Sequence, residues 1–75
     1  MYKDLVSEIL VFKTNVSCKV EVEKIERILS DENISRLTVD LEDVDKVLRI
    51  ECEQIHPLAV IEILREAGFT CEELT

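Results

Sequence analysis

The sequence predicts an α+β domain with its elements in the order β-α-β-β-α-β, four antiparallel strands in one sheet and two helices on one face. Three observations carry this. Residues 22–29 and 60–67 repeat apolar side chains at three- and four-residue steps; 37–41 and 48–52 alternate apolar with polar; and the single Pro and single Gly bracket the second helical stretch. So few punctuation points leave mostly regular structure with short connections.

The elements follow in order. Ile9-Leu10-Val11-Phe12 is an uninterrupted apolar run rich in branched and aromatic side chains, so 5–12 reads as a strand buried on at least part of both faces. Lys13 to Ser17, mostly small and polar, breaks it. From Cys18 the period changes: Val22, Ile25, Ile28 and Leu29 share a stripe while Lys19, Glu23, Glu26 and Arg27 lie elsewhere, an amphipathic helix of about four turns. Asn15 or Ser17 can cap it, and Glu21 and Glu23 lie in or near its first turn, where the macrodipole favours negative charge. The polar run Ser30-Asp31-Glu32-Asn33 is its exit.

In 34–41, Leu37, Val39 and Leu41 face one way and Arg36, Thr38 and Asp40 the other; next, Leu48, Ile50 and Cys52 oppose Arg49, Glu51 and Glu53. The short acidic link Glu42-Asp43-Val44-Asp45 makes these strands a hairpin. Pro57 suits the first residue of a helix because it has no N–H to lose there, and His56 before it can act as the cap. Val60, Ile61, Leu64 and Ala67 form the stripe, Ile55 can staple onto Val60, and Gly68 supplies a left-handed stop. Phe69 to Leu74 closes the chain as a short strand.

Right-handed βαβ crossovers put both helices on the same face, the ferredoxin-like arrangement. Chain direction then gathers 15–18, 42–45 and 68–69 at one end of the sheet and leaves His56 at the other. Cys52 falls in phase with Leu48 and Ile50, and Cys71 with Phe69, so both read as small core residues.

Composition limits the role. With 75 residues the chain reads as a single domain over 1–75, close to the size at which one hydrophobic core becomes marginal. Seventeen acids against nine Lys plus Arg give a net charge of -8, which repels phosphate backbones, so nucleic acid is not an expected partner. No apolar run approaches the roughly 18 residues of a membrane span, and Asp4 stands where a signal peptide stays basic, so the expectation is a cytoplasmic protein without membrane insertion. Three unclustered cysteines fit free thiols in a reducing compartment. One His, no Ser-His-Asp set and no Gly-rich phosphate loop point away from an enzyme. Asp40, Glu42, Asp43 and Asp45 lack the Gly and the spaced Glu of a calcium loop and read as a solvated turn.

Three segments stand in order: Phe12-Lys13-Thr14-Asn15-Val16-Ser17-Cys18 leading from strand into helix, Val39-Asp40 ending the second strand, and Pro57 through Ala67-Gly68-Phe69. Together, and at matching separations, they resemble the heavy-metal-associated domain, the small ferredoxin-like module of copper and mercury metallochaperones and of soft-metal transporting ATPases. The resemblance covers essentially the whole chain and implies soft-metal handling. It departs at the metal loop, where the family's Cys-x-x-Cys is here Cys18-Lys19-Val20-Glu21. Two soft thiolates hold Cu(I) well; a thiolate and a carboxylate make a mixed pair with far less preference for soft ions.

Cys18 is the one residue that matches a family ligand, and Glu21 stands in place of the second. The helix N-terminus and Lys19 favour a thiolate at Cys18, while Glu21 and the acidic hairpin oppose it. Two ligands fall short of the four of a structural Zn²⁺ site. Weak Cu(I) or Zn²⁺ binding through Cys18 and Glu21, with no cofactor required, is one expectation; a homodimer that brings two Cys18 thiolates together would complete the pair. The alternative is a metal-independent interaction module that has kept the fold and uses its acidic surface, for a basic protein partner, or a strand edge.

Overall fold

The computed structural model describes residues 8–30 and 33–74. Their order is β1 (Glu8–Thr14), α1 (Lys19–Ile28), β2 (Ile34–Asp40), β3 (Val47–Cys52), α2 (Pro57–Glu66) and β4 (Cys71–Glu73). The strands form one antiparallel sheet in the order β2-β3-β1-β4, so the ferredoxin-like βαββαβ fold expected from the sequence is the one observed. The expected strand positions Leu5 to Ser7 and the loop positions Asp31 and Glu32 lie outside the described residues.

One face of the sheet holds the core. Phe12, Leu48 and Ile50 point from the central strands toward Ile25 and Leu29 of the first helical segment and Val60 and Leu64 of α2, all buried. The other face is open, which corrects the reading of the first strand: Leu10 and Phe12 are buried, but Ile9 is 62% exposed and Val11 only half-buried, because both helices lie opposite them. Apolar continuity in a short run does not by itself mean two covered faces. No described helix is long and apolar enough to cross a membrane.

Two strand ends differ from expectation. β1 runs on through Lys13 to Thr14, because Thr14 is almost fully buried and satisfied on both sides: its N–H donates to Asp45 O at 3.0 Å and its hydroxyl to Lys46 O at 2.7 Å. β2 carries a register shift between Ile34 and Arg36, which pair with Cys52 and Glu51. The extra residue, Ser35, lets Ile34 and Leu37 both pack against the core although three positions apart.

The second helix follows its sequence signals. His56 is the N-cap and its Nδ1 accepts from Leu58 N–H at 3.1 Å, with Pro57 as first helical residue and Ile55 and Val60 both buried. At the other end Gly68 adopts φ +96, its N–H bonds Arg65 O at 3.0 Å and Phe69 N–H bonds Leu64 O at 2.9 Å, a Schellman stop whose flanking residues Leu64 and Phe69 are both buried. A Cβ on Gly68 would meet nothing within 4 Å, so backbone conformation alone calls for Gly there.

Candidate functional site

The three loops expected to meet do so. The β1–α1 loop is tied to the α2–β4 turn by Thr70 N–H donating to Asn15 Oδ1 at 3.0 Å, and β1 is tied to the hairpin through Thr14 and a Lys13–Asp45 contact of 3.8 Å. Lys24 lies over the Phe69 ring at 5.8 Å, holding α1 against the same turn. His56, beyond the far end of β3, is a strand length away, about 20 Å for a strand of this size, and cannot share a ligand with Cys18.

Cys18 itself is the N-cap of α1. Its backbone is extended, at φ -153 and ψ 168, and its carbonyl accepts from Glu21 N–H at 3.1 Å and Val22 N–H at 3.2 Å. Its thiol makes no capping bond and is exposed. Neither sequence candidate for the cap takes that position: Asn15 is used on Thr70, and Ser17 lies one residue too early. The cap is instead closed from inside the helix. Glu21 Oε1 accepts from Ser17 N–H at 2.8 Å and from Ser17 Oγ at 3.1 Å, a reach-back of the capping-box kind that pins the loop carrying Cys18.

Cys18 and Glu21 are thus neighbours on one turn, as the spacing required, but the carboxylate faces back to Ser17. Among the described residues no group of three or more His, Cys, Asp or Glu side chains is placed to hold a metal ion. Two of the hairpin acids are engaged in their own turn: Asp40 Oδ1 accepts from Glu42 N–H at 3.1 Å and Asp43 Oδ1 from Asp45 N–H at 2.8 Å, while Lys46 Nζ donates to Leu41 O at 2.7 Å.

The other two thiols are structural in position. Cys52 is 1% exposed on the core face of β3; burial first, then the Glu8 carboxylate, push its pKa up, against a backbone hydrogen bond at Ile55. Cys71 sits opposite Thr14 at the same end as Cys18, half-buried against the core, and burial pushes it up to about 11. A thiol held protonated in this way is a poor ligand. Neither the cleft of about 170 Å³ between the end of α1 and Ile34 to Leu37 nor the one beside Asn33 and Glu53 includes Cys18, whose thiol is exposed.

The chain is folded like a copper transporter domain. The yeast copper transporter domain Ccc2a, solved in solution in apo and Cu(I)-loaded states, superposes with a TM-score of 0.75 over 93% of this chain and 97% of its own, at 15% sequence identity. Identity that low carries the fold, and it bears out the fold implied by the resemblance to heavy-metal-associated domains. No protein-family model matches the chain, and no curated protein does.

Proposed function

We propose that this domain handles a soft metal ion, Cu(I) before Zn²⁺, with Cys18 as its only thiolate ligand and the remaining ligand drawn from a second molecule meeting it loop to loop. The observation that carries the reading is the state of Cys18: an exposed thiol at a helix N-cap, free of any capping bond, on a loop fixed by Glu21 and Asn15. The likeness in fold to a domain solved with Cu(I) supports it. Glu21 is not a ligand in this reading, since its carboxylate secures the loop.

A single soft ligand binds weakly alone, so the thiol of a second copy completes a two-coordinate site. The test is a competition titration of Cu(I) against a chelator in reducing buffer. Wild type should compete and Cys18→Ser should not; identical curves would remove the metal from the account.

A second reading is favoured by the Glu21–Ser17 bonds. They give Glu21, at the position where the family's second thiol would stand, a part in holding the loop, as expected of a metal-independent interaction module. Such a module keeps its association state unchanged on adding Cu(I), whereas the metal reading requires Cu(I) to bring chains together.

A further inference from the structure

Among the described residues β2 pairs only with β3, so its outer edge offers unpaired backbone groups along a sheet margin. The opposite margin, β4, is three residues long and carries Glu72 and Glu73, so two copies meeting there would set like charges against each other. β2 differs. Beyond the irregularity at Ser35 it is regular from Arg36 to Asp40, and on the open face it presents Arg36, Thr38 and Asp40, all exposed.

That sequence of side chains is self-complementary. In an antiparallel pairing with its two-fold axis at Thr38, Arg36 of each copy falls opposite Asp40 of the other and the two Thr38 side chains meet. On the helix face, half-buried Leu37 of each copy falls opposite half-buried Val39 of the other and covers it. Asp40 uses Oδ1 within its own turn, leaving Oδ2 for an arginine, and no ion pair is made by Arg36 or Asp40 among the described residues. In a chain with 17 acids and 9 Lys plus Arg, a charge-balanced edge is the exception.

We propose that the β2 edge is a self-association surface, joining two copies of this chain antiparallel about Thr38 into one continuous eight-stranded sheet. The Asp40 end of β2 is the end at which Cys18 lies, so this pairing sends the two Cys18 loops to opposite ends of the dimer. It therefore goes beyond the metal reading, does not depend on it, and leaves both thiols free. The net charge of -8 per chain opposes association, but salt near 0.15 M screens charges more than about 8 Å apart while contact pairs persist.

The experiment is sedimentation of the full chain in reducing, chelator-containing buffer at that salt, over a concentration series. Wild type and Cys18→Ser should dimerise alike; Arg36→Asp and Asp40→Arg should each raise the dissociation constant roughly tenfold or more, and the double variant, which restores opposite charges, should recover it. Because Asp40→Arg also removes a turn bond, amide shifts of the wild type on dilution give a second readout, expected along 36–40. A wild type that stays monomeric to millimolar concentration, single variants that dimerise like it, a double variant that does not recover, or shifts centred on 18–21 or 71–73 would each overturn the proposal. Loss of Cu(I) binding in Cys18→Ser without change in this dimer keeps the two readings separable.

Discussion

Glu21 accepts both the backbone N–H and the hydroxyl of Ser17, at 2.8 and 3.1 Å, and so binds the residue before Cys18 to the helix that follows it. One carboxylate settles two matters: it satisfies two donors of the loop that enters α1, and it commits one oxygen of a ligand-spaced side chain to Ser17.

Removing that carboxylate should cost stability rather than metal. Glu21→Ala is expected to lower unfolding free energy by about 1 kcal/mol, while Glu21→Gln, which can still accept, should lose less. Urea unfolding measures both, and Cu(I) uptake by either variant should stay at the wild-type level. Weakened uptake in Glu21→Gln would make the carboxylate a ligand.

Thr14 is the buried polar link between β1 and the hairpin. Thr14→Val keeps the shape but leaves the Lys46 carbonyl without its 2.7 Å donor, for an expected loss of about 1–3 kcal/mol. Hydrogen exchange should show the loss first at 40–47. Unchanged stability would mean that water replaces the hydroxyl without cost.

Gly68 should resist substitution for conformational reasons alone. Gly68→Ala forces a Cβ residue into φ +96 with free space around it, and an expected cost of about 1–2 kcal/mol is therefore strain and not collision. Gly68→Asn, which tolerates positive φ better, should lose less, and equal losses would point to a steric cause.

Much of this was legible in the sequence, and the parts that were not share a physical character. Pro57, His56, Gly68 and the phase of Cys52 act through near neighbours, so spacing reveals them. Thr14 and Asn15 act on residues 32 and 55 positions away, and nothing local marks a Thr as the end of a strand or an Asn as a brace. The site shows the same division. That Cys18 and Glu21 share a turn follows from helical spacing; that the carboxylate points back to Ser17 is a choice of rotamer that spacing leaves open.

Alkaline pH should destabilise the fold through its buried thiols. Cys52 and Cys71 have folded values raised above 9.0, so the folded state holds their protons more tightly than the unfolded chain. Their contribution is fully present below about pH 9 and is lost as pH rises through the folded values, about 11 for Cys71. Melting temperature should fall over that window, and Cys71→Ala should flatten part of the decline. A profile indifferent to Cys71→Ala would place the cause elsewhere.

The most direct measurement of the metal reading is the Cu(I) stoichiometry of the wild type beside Glu21→Cys, which returns a second thiol to the loop. One ion per two chains in the wild type, one per chain in Glu21→Cys and none in Cys18→Ser is the expected result; a wild type that binds one ion per chain, or retains its ion in Cys18→Ser, would contradict a site built on a single thiolate.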